Sequence, residues 1–137
     1  TLIEHDLRFH KRGKDGSAKC DALETNDLNH FVLGVVFEMS EQDKPALDRI
    51  EGLGNGYEQK SVSLSTQSGS IIDAFTYYAT SFDQALKPFD WYLQHVLIGA
   101  KENRLPQEYI RKISQTHSVA DPSWDRHERE MAIYADN

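Results

Sequence analysis

Two stretches of alternating side chains on either side of one short turn constrain this chain more than any other feature. From Tyr57 to Thr66, Val62 and Leu64 sit between polar neighbours. Gln67-Ser68-Gly69-Ser70 has the composition of a turn, and Ile71 to Ala79 reads as a second strand. A period of two puts Val62 and Leu64 on one face. The two runs with their glycine-containing turn predict a β-hairpin.

The rest of the chain is organised around that hairpin. Leu2 to His10 is apolar at Leu7 and Phe9 with polar residues between, which is strand-like. Lys11 to Asn29 is polar and contains glycine, and reads as a long loop. His30 to Met39 is rich in Val and Phe and predicts a buried strand. Ser40 is placed to cap a helix, with Glu41 and Asp43 in the first turn where carboxylates suit the dipole. Pro45 falls in that first turn, and Ala46, Leu47 and Ile50 form the expected inner face. The helix ends at Gly52, and Gly52-Leu53-Gly54-Asn55-Gly56 offers positions that accept positive φ. Pro88 to Asn103 is helical, with Phe89, Tyr92, Val96 and Ala100 on one stripe. Leu105-Pro106 interrupts it, and Pro106 starts a further helix through Tyr109, Ile110 and Ile113. A last short helix, from about Trp124 to Tyr134, follows Asp121-Pro122. Strands first and helices later predict an α+β class with a mainly antiparallel sheet. We expect a single domain over 1–137, with 117–137 as a C-terminal helical extension.

Bulk properties narrow the functions. A chain of 137 residues can bury a core in one domain without disulfide or metal staples. Lys and Arg total 15 against 22 Asp and Glu, a formal charge of −7, so the surface repels phosphate backbones and no nucleic-acid partner is expected. The basic run His10-Lys11-Arg12-Gly13-Lys14 reads as a solvated turn. The longest apolar run, Phe31 to Phe37 with Gly34 inside it, is too short to span a bilayer, and no membrane association is expected. No charged-then-apolar signal segment opens the chain. The single cysteine, Cys20, fits a reducing compartment, so a cytoplasmic location is expected. Cys20 itself reads as a bystander in a loop or at a strand end. The six histidines form no i, i+4 pair, and His127-Glu128 lacks the second histidine of a zinc-protease helix, so no metal site is expected. Gly52-x-Gly54-x-Gly56 has the wrong spacing for a dinucleotide fingerprint and follows a helix. No Gly-x-Ser-x-Gly elbow occurs.

Glu51 stands apart. A carboxylate at a helix C-terminus faces the negative end of the macrodipole. Its neighbours Ile50, Gly52 and Leu53 are apolar or small. Desolvation and the dipole would both raise its pKa and make it a better base near neutrality. On composition alone a surface glutamate is the better fit. Tyr57, Tyr77, Tyr78, Trp91 and Tyr92 fall at element boundaries. They are either core filler or the lining of a site for a small polar ligand, with hydroxyls as orienting groups.

One ordered set of motifs adds to this reading. It runs Leu47-Asp48-Arg49-Ile50-Glu51-Gly52, then Gly56-Tyr57, then a hairpin carrying Phe75-Thr76-Tyr77, then Trp91-Tyr92. It ends with Gly99-Ala100-Lys101-Glu102-Asn103-Arg104-Leu105-Pro106 and Tyr109. In this order and spacing the chain resembles the gamma-glutamylcyclotransferase family over about residues 1 to 115. The resemblance implies a small, mainly antiparallel β-barrel flanked by helices. It implies a cofactor-free enzyme that releases 5-oxoproline from a small γ-glutamyl amino acid, peptide or amine. The family's catalytic glutamate falls on Glu51, and its substrate-binding tyrosines fall on Tyr57, Tyr77 and Tyr92.

The chemistry suits such a site. The substrate's own α-amine attacks its γ-carbonyl, and well-oriented intramolecular attack reaches effective molarities of about 10⁵ M or more. One base then suffices for the proton transfers, together with donors for the developing oxyanion. The family's N-terminal Tyr-Gly-Ser-Asn loop does not occur here; the chain opens at Thr1 with a segment that is already strand-like. The expectation is a barrel lacking its first strand, with one sheet edge unpaired. Two alternatives stay open at this level. One is a non-catalytic, small-molecule-binding relative of the same fold, inactive for lack of the loop. The other is an interaction domain using Trp124, Met131 and Tyr134 as an exposed stripe, although docking of that stripe on the core is the better reading. No oligomeric state follows from the residues.

Overall fold

The computed structural model describes residues 1–135. Six strands pair as three antiparallel ladders. Strand β1 (Leu2–Ile3) lies beside β4 (Phe31–Val32), β2 (His5–Arg12) beside β3 (Ala18–Glu24), and β5 (Tyr57–Ser65) beside β6 (Ile71–Ala79). Among the described residues there are four α-helices: α1 (Lys44–Glu51), α2 (Asp90–Glu102), α3 (Gln107–Ser114) and α4 (Trp124–Met131), the last running into a 3₁₀ turn at Ala132–Tyr134. Antiparallel sheets with helices are as expected. The pairings among the described residues do not include a closed barrel.

The β5–β6 hairpin forms in continuous register from Tyr57 opposite Ala79 to Ser65 opposite Ile71. Other expectations need correction. The stretch from Lys11 to Asn29 is not a loop throughout, because it contains β3. Its buried positions are Ala18 and Asp21, so β3 lacks the apolar alternation that announces a strand. Conversely, only Phe31–Val32 of the stretch from His30 to Met39 is strand, and Val35, Val36, Phe37 and Met39 are exposed. An apolar run makes a buried strand only where a partner pairs with it, and among the described residues none pairs beyond Val32.

The helices differ in detail from the expectation. Asp43, not Ser40, stands at the N-cap of α1; Ser40 Oγ instead donates to Asp43. Ala46 and Ile50 point to solvent, and the half-buried positions are Lys44, Leu47, Asp48 and Glu51. The inner face of α1 is therefore largely polar, with Lys44, Asp48 and Glu51 at helical spacing. On α2 the buried residues are Trp91, Leu93, Leu97 and Ala100; of the expected stripe, Phe89 just ahead of the helix and Ala100 are buried, and Tyr92 and Val96 are half-buried. Leu93, Leu97 and Ala100 pack with Tyr109, Ile110 and Ile113 of α3 to form the core, and Leu7, Phe9, Leu33, Val96 and Leu105 close over it. No helix among the described residues is long and apolar enough to cross a membrane.

The two long hairpins share no backbone ladder, and a buried carboxylate joins them. Asp21 of β3 accepts from the backbone N–H of Ala79 at the end of β6 at 2.8 Å, and its other oxygen lies 2.7 Å from Nε2 of His10 on β2. The His10 ring stacks on Phe82 at 4.5 Å between centroids. The chain leaving β6 then runs beside the end of β2, with Asp83 N–H donating to the His10 carbonyl at 2.8 Å.

The C-terminal helix is fastened by Asp121. Its carboxylate accepts from Trp91 Nε1 at 2.8 Å, from the Ser123 N–H at 2.8 Å and from two Arg126 nitrogens at 2.6 Å each. Those bonds, the Arg126 pair foremost, hold its carboxyl well below the usual range. Tyr134 docks against His95 of α2, whereas Trp124 is exposed and stacks on His127. Residues 136 and 137 of the expected 117–137 extension lie outside the described residues.

Asp21→Ala leaves a donor at Ala79 and the His10 ring buried without partners. Removing one member of such a pair costs about 3–5 kcal/mol, and urea denaturation should register most of it. Asp121→Ala should raise amide hydrogen exchange across Trp124–Met131 while the Leu93-to-Ile113 core stays protected.

Candidate active site

The site begins with an irregularity in β2. The β2–β3 register runs regularly to Phe9 opposite Cys20 and resumes at Lys11 opposite Lys19, which leaves His10 as an extra, bulged residue. In a regular strand adjacent side chains point to opposite faces. Across this bulge both are buried, with His10 at 4% and Lys11 at 8% exposure. The reading of His10-Lys11-Arg12-Gly13-Lys14 as a solvated turn is thereby overturned for its first two residues. A bulge breaks the period that sequence patterning relies on. His10 is consumed by Asp21 and Phe82. The Lys11 ammonium lies 4.5 Å from the centroid of the Tyr57 ring.

The glycine-rich turn brings Glu51 and Tyr57 to the same place. Gly52 closes α1 at φ 80°, with its N–H bonded to the Asp48 carbonyl. Gly56 has φ 103°, and a Cβ there would lie 3.0 Å from Cε and 3.3 Å from Nζ of Lys11. Only glycine gives both the backbone angle and the room for the lysine tail. Glu51, the last residue of α1, is half-buried and has no hydrogen bond or salt bridge among the described residues. Burial raises its pKa above the ordinary value, and the Lys11 ammonium opposes that rise. A solvated surface glutamate, the better fit on composition, is not what the fold presents.

The three tyrosines take different places. The Tyr57 hydroxyl donates to the Cys20 carbonyl at 2.6 Å, and the Tyr92 hydroxyl accepts from the Cys20 N–H at 2.9 Å. Both hydroxyls therefore anchor β3. Burial, first of all, raises both pKa values, so both stay neutral donors or acceptors. The Tyr77 hydroxyl donates to Asp48, which also holds Lys44 at 2.7 Å. Burial and that carboxylate push Tyr77 up to about 12. The charge of Glu51 acts on Tyr57 and Tyr77 as well as on Lys11. Tyr92 is joined to Tyr57 through the Cys20 backbone. Burial lifts the Cys20 thiol to about 12, which leaves it protonated and unsuited to nucleophilic attack near neutrality.

Sequence reasoning missed Lys11, His10 and Asp21. The basic run at His10-Lys11 was the available signal, but nothing local marks the bulge that turns it inward. Two surface clefts of about 400 and 450 Å³ lie elsewhere, one beside His117 and one beside Leu105, and neither is lined by Glu51. Among the described residues no group of three or more His, Cys, Asp or Glu is placed to hold a metal ion. Gly56→Ala should lower stability by about 1 kcal/mol or more through its positive φ, measured by urea denaturation, and should displace the Lys11 tail.

Comparison with known proteins gives the family and the fold. Residues 31–113 match the model of the AIG2-like family, a stretch that holds Glu51, Tyr57, Tyr77 and Tyr92 and begins after Lys11. The gamma-glutamylcyclotransferase of Bos taurus is 37% identical over 84 residues, which are 61% of this chain and 44% of that protein. That of Homo sapiens is 37% identical over 83 residues, 60% of this chain and 44% of that protein. The match thus spans less than half the length of these curated relatives. A crystal structure of an uncharacterized Homo sapiens protein aligns with a TM-score of 0.81 at 24% identity, over 95% of this chain and 80% of that one. A solved gamma-glutamyl cyclotransferase aligns with a TM-score of 0.76 at 20% identity, over 96% and 81% of the two chains. At such identities the two structures speak for the fold. The chain belongs to the AIG2-like family and is gamma-glutamylcyclotransferase-like.

Proposed function

We propose that this chain is a gamma-glutamylcyclotransferase-like enzyme that releases 5-oxoproline from a small γ-glutamyl compound, with Glu51 as general base and then general acid. The observation that carries the reading is the state of Glu51. It is half-buried, lacks a hydrogen-bonded partner among the described residues, and has a pKa raised by burial. A carboxylate so placed is a stronger base than one in water, and it is free to bond an incoming group.

In the proposed reaction Glu51 takes a proton from the substrate's α-ammonium. The freed nitrogen attacks the γ-carbonyl carbon and closes a five-membered ring. The bond from that carbon to the leaving nitrogen then breaks as Glu51 gives that nitrogen its proton, and the ring nitrogen, which still carries two hydrogens, gives one up through Glu51 to the departing amine. The products are 5-oxoproline and an amine. Folding the substrate so that its two ends meet supplies much of the acceleration. The Tyr57 and Tyr77 rings, held by Cys20 and Asp48, give the site rigid walls. A non-catalytic binding relative of the same fold remains the second reading. The two separate on turnover.

Glu51→Gln should cut 5-oxoproline release roughly 10²- to 10⁴-fold, the range for a lost general base; retention of the full rate would remove Glu51 from its role. In the unsubstituted protein, kcat/KM should rise with pH as Glu51 ionises, with that limb above the ordinary value of 4.5. The folded protein holds this proton more tightly than the unfolded chain does. The group's stabilising contribution is therefore present in acid and lost as pH rises through the raised pKa.

A further inference from the structure

We infer that Lys11 is the cation that receives the α-carboxylate of the substrate, so that Lys11 and Glu51 together form a charge pair fitted to an α-amino acid head. The inference rests on the reading of the site as a γ-glutamyl site and adds to it a binding residue and a requirement on the substrate.

The first argument is an imbalance among the buried charges. Asp6 is held by Arg8 and Lys112, Asp21 by His10, and Asp121 by Arg126. Lys11 is as buried as these, at 8% exposure, yet its ammonium has no hydrogen bond or salt bridge among the described residues. The lysine's stem is buried while its ammonium, without a bond and not sealed from solvent, is available to an incoming anion.

The second argument is placement. The bulge turns Lys11 inward, and its backbone pairs with Phe82 on the other side. The ammonium rests over the Tyr57 ring at 4.5 Å, and Gly56 leaves open the space that a Cβ would fill at 3.0 Å from Cε. The lysine is thus directed to one spot.

The third argument is pairing. Lys11 packs against Gly56 and the Tyr57 ring, and Leu53, two residues after Glu51, bridges Tyr57, so the turn that follows Glu51 is the one that Lys11 lies on; the two charges act on each other without a direct salt bridge. A γ-glutamyl substrate carries an ammonium and a carboxylate on one carbon. Glu51 can take the first and Lys11 the second, each opposite charge meeting its partner in a partly desolvated space. A compound without the carboxylate would leave Lys11 unpartnered, and the site should reject it.

The test uses two ligands that differ in that group alone. 5-Oxoproline keeps the carboxylate and 2-pyrrolidone lacks it. Isothermal calorimetry on the unsubstituted protein should show 5-oxoproline binding at least tenfold more tightly. Lys11→Met should abolish that preference, and Lys11→Arg should retain part of it. With γ-glutamyl-alanine as substrate, Lys11→Met should raise KM tenfold or more and change kcat less. Equal binding of the two ligands to the unsubstituted protein overturns the inference without any substitution, so it stays testable even if Lys11→Met does not fold. Preference undiminished in Lys11→Met, or a shift only in the pH profile of kcat, also overturns it and leaves the enzyme reading intact. Carboxylate preference lost in Lys11→Met, in a protein with no turnover, would instead keep Lys11 and remove the enzyme reading. No binding and no turnover remove both.

Discussion

One short piece of β3, Cys20-Asp21, ties the molecule together. The two long hairpins could each form alone, but a lone hairpin is at best marginally stable in water. The Asp21 carboxylate bonds one to the other, through the backbone of Ala79 and the ring of His10. Beside it, the backbone of Cys20 takes the hydroxyls of Tyr57 from β5 and Tyr92 from α2. Three elements distant in sequence thus converge on two residues. The Asp21 bonds are buried and the Cys20 bonds partly so, and a buried polar atom left without its partner is costly.

The candidate site is a consequence of that joint. With β2 bulged at His10, consecutive residues turn inward. The first is used structurally and the second is left with a free charge. With α1 ending at Gly52 and the turn ending at Gly56, Tyr57 is brought to the Lys11 ammonium, and Glu51 stands at the start of the same turn. Site and scaffold therefore share residues. Tyr57 anchors β3 through its hydroxyl and meets Lys11 through its ring. Aromatic residues at element boundaries, ambiguous between core filler and pocket lining, do both.

Much of the architecture was legible locally. The β5–β6 hairpin was visible from period-two alternation and its glycine turn. The α2, α3 and α4 helices were visible from apolar spacing and proline positions. Glu51 was visible because it stands at a helix end with small and apolar neighbours. The failures share a cause. β3 is held by Asp21 and Ala18, residues without strand preference, so its identity depends on partners far away in the chain. The apolar run from Val35 to Met39 has the composition of a core strand and is exposed, since burial needs a partner as well as a sequence. On α1 the apolar residues predicted the inward face, but the polar stripe of Lys44, Asp48 and Glu51 faces inward, because Tyr77 and Phe75 offer Lys44 and Asp48 specific partners.

The sequence by itself determined the α+β class, the order of hairpin and helices, the family, and the carboxylate to examine first. These depend on periodicity, on backbone demands at glycine and proline, and on motif order, all carried by neighbours in the chain. Only the tertiary structure decided what surrounds that carboxylate. Its burial, the charge of Lys11 acting on it and the lack of a hydrogen-bonded partner among the described residues arise from how the strand bulge and the Asp21 joint arrange the chain. The electrostatics of a site depend on distance through space and on exclusion of water, and neither can be read along the chain.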